Sequence, residues 1–340
     1  MKKKIFVSLL LVLIATAVCV TVSSVSHTVR TVALAEESTE PKTVLVLGLD
    51  GAACNSDVII LARYNPTVKQ LTFLQIPRDT YLEDGERGGK INRFFATAYG
   101  ETKDVQKAAE RTCAVFSEAF GIKIDGCVAL RFSALEEIVD ALGGIPIHLP
   151  FPMEYTDPAQ NLHISLPQGD TVLDGEAAVK FVRYRSGYTE GDLGRTDAQK
   201  LFLSAFLARL GDSLDVQSAL SLLSVGGDGL SVSFEEKSTL LQIICGFCKN
   251  QSSFEKRYIS APGEAIMENG DSGTWYYVLN RDANQKLLKE FYGCETLEFD
   301  AEGRFCADKI QFENIYFDRG FAPRIYTEEE LKKIKILTKE

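Results

Sequence analysis

From residue 43 onward the chain alternates between two hydrophobic periods, and this alternation restricts the fold more than any other feature. Residues 43–49, 58–64 and 71–76 are short apolar runs bounded by Gly, Asn and Pro, the pattern of strands. Residues 104–120 then place Val105, Ala109, Cys113, Phe116 and Phe120 at helical spacing, and Gly121 stops that helix. A strand is predicted at 126–132. A helix to Leu142 follows, opened by a Ser133–Glu136 capping box and closed by Gly143-Gly144. The run 145–149 reads as a strand again. Further helices are predicted at 173–182, at 192–210, from a Ser233–Glu236 cap to about residue 247, and at 282–291. A Thr327–Glu330 cap opens a last, Lys-rich helix. Strands that alternate with helices bury a sheet between helical layers, so the expected class is α/β, a three-layer α/β/α sandwich.

Composition fits a globular protein, with 45% apolar and 25% charged residues among 340. It also removes several functions. The formal net charge is -10, whereas a general nucleic-acid binder needs a basic surface. Three His leave little room for a His-rich zinc site, and 8 Cys are too few for a disulfide-built fold. The Cys245/Cys248 CxxC has no second CxxC and sits among Leu240, Leu241, Ile243, Ile244 and Phe247, so it reads as a buried helix face. No GxSxG elbow, Walker loop or HExxH is present. His148 in the run 145–149 and His163 in a polar loop read as structural.

The amino end carries Lys2, Lys3 and Lys4 and then an apolar run over 5–22. At about 1.5 Å per residue the run makes ~27 Å, close to the hydrocarbon thickness of a bilayer. Lysines ahead of the run predict a cytoplasmic amino end and an outside bulk, a single-pass type II arrangement. Ala33-Leu34-Ala35 resembles a signal cleavage site but lies well beyond the apolar run, so the anchor is expected to stay. The expected organisation is 1–4 cytoplasmic, 5–22 transmembrane, 23–42 a polar linker, 43–293 the catalytic domain and 294–340 an extension. Cys19 falls in the anchor, and the seven cysteines outside it are an odd number, so one is unpaired or pairs between chains.

Four segments place polar residues where a plain core would not. Asp50 follows a strand end and Asp57 opens the next strand, so two carboxylates could share a hard cation such as Mg²⁺; turn-forming aspartates are the plainer alternative. Arg78-Asp79 follows an apolar strand and Pro77, at the end of the sheet where α/β folds bind ligands; a surface ion pair is the alternative. Arg183 and Arg185 face one place if the preceding helix ends near Phe181, and paired guanidiniums suit phosphate oxygens. The alternative is a solvated helix end. Asp192 sits where a helix N-cap belongs, and Arg195 and Gln199 share one face of that helix, near an N-terminus that attracts anions.

In this order the segments resemble the LytR–CpsA–Psr family of bacterial cell-envelope proteins. The text that carries the resemblance is VLVLGLDG with NSDVIILARYNP, LTFLQIPRDTYL with GGKINRFFATAYG, GIKIDGCVALRFSALEEIVDALGGIPIHLP, LPQGDTVLDGEAAVKFVRYR and GDLGRTDAQK. It covers 43 to roughly 293. The resemblance implies a mixed central sheet and an apolar pocket for a polyprenyl chain, expected between sheet and helix residues from about 100 to 210. It implies a phosphotransferase in the bacterial cell membrane with its catalytic domain outside. The donor would be a glycopolymer on undecaprenyl-pyrophosphate, of wall teichoic acid or capsular type. The acceptor would be the C6 hydroxyl of N-acetylmuramic acid in peptidoglycan. Mg²⁺ (or Mn²⁺) would be held by Asp50 and Asp57. Arg78, Arg183, Arg185 and Arg195 would clamp the pyrophosphate beside Gln199, with Asp79 and Asp192 orienting them.

Two positions depart from the family pattern. Asn55 stands where the family usually has Arg, and Ala198 replaces the Arg of an Arg-Gln pair; Arg63, Arg87 and Lys90 are the cations that could compensate. The same site with water as acceptor would be a polyprenyl-pyrophosphate hydrolase. Without turnover it would be a lipid-binding envelope regulator.

Overall fold

The computed structural model describes residues 40–333 except 52–53, 85–86, 159–161, 189–191, 214–221, 223, 235, 268–273, 294–299, 301–304 and 306–323. The expected anchor and most of the linker lie outside the described residues; among those described, no helix is long and apolar enough to cross a membrane. In chain order the elements are β1 (Lys42–Leu49), β2 (Ser56–Asn65), β3 (Gln70–Gln75), β4 (Tyr81–Asp84), β5 (Arg87–Lys90), α1 (Phe94–Thr102), α2 (Val105–Phe120), β6 (Gly126–Arg131), α3 (Phe132–Ala141) and β7 (Ile145–Leu149). They continue as β8 (Met153–Asp157), β9 (Leu162–Leu166), β10 (Gly169–Leu173), α4 (Gly175–Arg183), α5 (Asp192–Ser213), β11 (Leu230–Phe234), α6 (Lys237–Asn250), β12 (Glu255–Ser260), β13 (Gly263–Met267), β14 (Trp275–Leu279), α7 (Arg281–Tyr292), β15 (Ile325–Tyr326) and α8 (Glu328–Lys333).

The central sheet has 7 strands in the order β11-β6-β1-β2-β3-β12-β15. It is mixed: β1 runs parallel to β6 and β12 parallel to β3, while β1–β2, β2–β3, β6–β11 and β12–β15 are antiparallel. Alternation along the strands gives it two apolar faces. Leu45, Leu47, Ile59, Leu61, Cys127 and Ala129 pack on one side against α2 and α7. Val46, Ala62, Val128 and Leu130 take the other side, towards α5 and α6. Helices on both faces make this the expected three-layer sandwich. A second apolar cluster joins α3, α4 and α5 to the small pairs β7–β10 and β8–β9.

Several local expectations change. The helix after β6 begins at Phe132, and Ser133 makes no cap because the chain turns straight from strand into helix. Residue 173 ends a strand, and Asp174 caps α4 by accepting from the Ala177 N–H at 2.8 Å. Ser233 lies within β11, paired with Cys127, so it caps nothing. His163 is on β9, its imidazole 3.0 Å from the Thr156 hydroxyl, not in a loop. The Thr327–Glu330 box forms: the Thr327 N–H donates to Glu330 Oε2 at 2.7 Å, and the Glu330 N–H donates back to Thr327 Oγ1 at 3.3 Å. Cys54, Cys113 and Cys127 are free thiols, and Cys245 is buried on α6 as the CxxC reading anticipates.

Candidate active site

The ends of β1, β2 and β3 carry the first residues of the site. At the end of β1, Gly48 approaches β2 so closely that a Cβ would meet Val58 Cβ at 2.9 Å. The loop that follows brings Asp50 back onto Asn55: the Asn55 backbone N–H donates to Asp50 Oδ1 at 3.0 Å and its side-chain amide to Asp50 Oδ2 at 3.2 Å. Asn55, where the family pattern has Arg, therefore holds the Asp50 carboxylate. One turn beyond β3, Arg78 reaches back to donate to Asp57 Oδ1 at 2.7 Å.

Helices α4 and α5 supply the opposite wall. Helix α4 runs through Arg183 and then the chain extends at Tyr184 (φ -62, ψ 137), so Arg183 is the last helical residue and Arg185 lies beyond it. The Arg183 guanidinium sits over the Phe132 ring, 5.4 Å from its centroid. Asp192 opens α5 as its first residue and joins two cations: its Oδ1 is 2.8 Å from Arg195 Nη2 and 3.6 Å from Arg78 Nε. Gln199 donates to the Val182 carbonyl at 3.0 Å and accepts from Gln75 Nε2 at 2.6 Å, which ties α5 to the end of α4 and to β3.

These walls enclose a cavity of about 800 Å³ onto which Asp50, Asp57, Arg78, Arg183, Arg185, Arg195 and Gln199 all open. Asp79 and Asp192 are not on its lining. Asp79 stands 3.9 Å from Arg78 Nε and 2.9 Å from Lys90 Nζ. Burial pulls the Arg78 pKa down, but Asp192, Asp57 and Asp79 outweigh it and the net shift is upward. Burial dominates at Arg195 and lowers its pKa, with Asp192 opposing and Arg78 adding to the fall. Arginine keeps its proton in either case, so the cavity wall is permanently cationic. Asp50 and Asp57 offer two carboxylates; among the described residues no group of three or more His, Cys, Asp or Glu could hold a metal.

Of the compensating cations, Lys90 joins the site through Asp79. Arg63 does not: it donates to Thr43 Oγ1 at 3.1 Å and lies over the Tyr292 ring, far along β2 from Asp57. The Arg87 side chain lies outside the described residues. Ala198 is fully buried in the apolar cluster. Asn92 and Tyr155 also line the cavity and were not singled out from the sequence. The Asn92 side-chain oxygen is buried and has no hydrogen-bond partner among the described residues. The GGKIN text was its only signal.

On the same side of the sheet lies a second, almost wholly apolar cavity of about 380 Å³. It is walled by Val46, Ala62 and Val128 from the sheet and Leu210, Ile243 and Phe247 from the helices. Its lining runs from Val44 to Cys248, well beyond the expected stretch of 100–210, because β1, β2 and α6 close it. Val58 lines the first cavity and Ala62 the second, on one face of β2. Four residues along a strand is roughly 13 Å, so the two cavities are neighbours along the strand direction.

The LytR–CpsA–Psr family profile matches residues 14–292. A polyisoprenyl-teichoic acid–peptidoglycan teichoic acid transferase, TagU of Oceanobacillus iheyensis, is 27% identical over 256 residues, which is 74% of this chain and 75% of that protein. The crystal structure of Bacillus subtilis TagV superposes with a TM-score of 0.58 at 23% identity, over 76% of this chain and 98% of that one. A structure of TagT bound to LI-WTA gives 0.56 at 24% identity, over 75% and 91%. With the profile spanning β1 to α7 and the mixed sheet shared, the chain belongs to the LytR–CpsA–Psr family.

Proposed function

We propose that this protein is a phosphotransferase that moves a glycopolymer, of wall teichoic acid or capsular type, from undecaprenyl-pyrophosphate to the C6 hydroxyl of peptidoglycan N-acetylmuramic acid. One observation carries the reading: a cavity lined by four arginines and a separate apolar cavity lie on the same sheet face, roughly 13 Å apart along β2. A ligand with a diphosphate head and an isoprenoid tail needs that pair of surfaces.

The arginines bind and orient the pyrophosphate, and their fixed charge stabilises what builds up on the departing phosphate. The acceptor oxygen bonds to the polymer-linked phosphorus. The bond to the lipid phosphate breaks, the lipid monophosphate leaves with the electron pair, and the hydroxyl proton is lost to a base. Asp57 has the chemistry of a base, but one of its oxygens is already committed to Arg78. Asp50 and Asp57 suit Mg²⁺ or Mn²⁺, which take one or two carboxylates and complete their shell with water and substrate phosphate oxygens. Bound there, such an ion would neutralise phosphate charge. The apolar run at 5–22 would anchor the domain beside its membrane-held donor, outside the cell.

The reading is tested by supplying purified protein with a lipid-pyrophosphate-linked polymer and Mg²⁺, with and without a peptidoglycan fragment. Polymer should appear on the fragment only when all are present. Release of lipid monophosphate at equal rates without the fragment would make the protein a hydrolase. A second reading, binding without turnover as an envelope regulator, is favoured by Asn55 occupying Asp50 and by Ala198 buried where the family has Arg. Lipid binding with no product under any of these conditions would establish it.

A further inference from the structure

Helix α5 is buried all round at its amino end: Arg195, Thr196, Asp197, Ala198, Gln199 and Lys200 are each at most 6% exposed. At 3.6 residues per turn, the direction of Asp197 and Lys200 is about 150° round the helix from that of Arg195 and Gln199. One side therefore faces the arginine cavity, and the other carries a buried ion pair that the site does not use. Lys200 donates to Asp197 Oδ1 at 2.6 Å and to Ser260 Oγ at 2.5 Å. The second Asp197 oxygen accepts from Arg324 Nη1 at 3.0 Å, and the Lys200 ammonium lies over the Tyr326 ring, 5.2 Å from its centroid.

Arg324 and Tyr326 come from beyond the family match, which ends at 292. Their segment is fixed to the sheet. Residues Ile325–Tyr326 form its edge strand on β12, the Ser260 N–H donates to the Arg324 carbonyl at 3.1 Å, and Glu328 pairs with Lys256 at 2.8 Å.

We propose that Arg324 is a positioning residue: gripping Asp197, and through it Lys200, it sets the rotation of α5 and so the aim of Arg195 and Gln199 into the cavity. A helix bearing a charged group on each side can turn only if one of them leaves its partner, and a buried charge that loses its partner is strongly disfavoured. Arg324 is not among the residues that line the cavity, so its route to Arg195 and Gln199 is the helix. The inference rests on the cavity being a pyrophosphate site, and its test separates the two.

Arg324→Ala is compared with Glu328→Ala, which loosens the same segment by removing its pair with Lys256 but leaves the Arg324–Asp197 pair in place. A soluble polyprenyl pyrophosphate and the matching polyprenol are titrated into each. Amide hydrogen exchange of residues 196–200 is followed without ligand. Arg324→Ala should weaken pyrophosphate binding by about tenfold, as loss of a supporting partner does elsewhere. Polyprenol binding should hold, α5 should exchange faster, and Arg324→Lys should restore part of both. Glu328→Ala should do neither. Should Arg324→Ala fail to fold, Arg324→Gln replaces it. Unchanged exchange in α5 overturns the proposal, as does equal weakening of both ligands. If the native protein binds no pyrophosphate, the functional reading fails, and the exchange of α5 still decides the role of Arg324.

Discussion

Arg183 and Arg185 show how one backbone change creates a site. Two residues apart in a helix they would diverge, but the chain leaves the helix at Tyr184 and both reach one cavity. Arg183→Ala or Arg185→Ala should weaken binding of a polyprenyl pyrophosphate roughly ten- to a hundredfold, since a hydrogen bond to a charged group is worth ~1.5–3 kcal/mol. Titration calorimetry would measure this, and thermal melting should show the fold nearly unchanged. Lys should be a poor replacement, because an ammonium cannot reproduce the planar fork. A double Ala variant that transfers polymer at the native rate would remove both residues from the clamp. Asp57→Ala should remove dependence on Mg²⁺, and it also strips Arg78 of its closest carboxylate. The residue types and their order were legible in the sequence. The partnerships were not: Asp192 bridging Arg78 and Arg195, and Asn55 holding Asp50, depend on where turns bring strand ends and helices together.

Elements with strong periodicity were legible to within a residue or two. The spacing over 104–120 became α2 with Asp104 as its cap, and 145–149 became β7 unchanged. The hairpins β4–β5, β8–β9 and β13–β14 are not legible in the sequence, because strands of four or five residues hold too few alternating positions to set a period. Two substitutions test the strand-level design. Gly48→Ala would drive a methyl into Val58, displacing the start of β2 and with it Asp57; overpacking of this kind costs ~1–3 kcal/mol. Denaturant unfolding should show that loss, together with reduced transfer. Ala62→Phe would instead fill the apolar cavity that Ala62 lines. Mass spectrometry should then find less polyprenyl lipid co-purified, while a short-chain pyrophosphate still binds at the arginines. Equal loss of long and short ligands would mean that the cavity does not take the tail.

Across the whole molecule, the lysines ahead of the run at 5–22 set the expected topology. Protease added to intact spheroplasts should degrade the bulk of the chain; complete protection would reverse the orientation, and a mature protein starting at Glu36 would mean cleavage. By itself the sequence determined the α/β class, the helices with strong periodicity and the family, and it named the arginines and the two aspartates that the fold gathers on one cavity. These are properties of local periodicity and of residue types in order, and both survive in a string of letters. Only the tertiary structure decided that the apolar cavity is closed by β1, β2 and α6, and that the extension beyond residue 293 supplies the last strand of the sheet. It also joined Arg324 to Asp197, 127 residues away in the chain. The physical reason is the same in each case. A strand edge or a buried carboxylate is satisfied by whichever segment the fold brings within hydrogen-bonding distance, and separation along the chain carries no record of that.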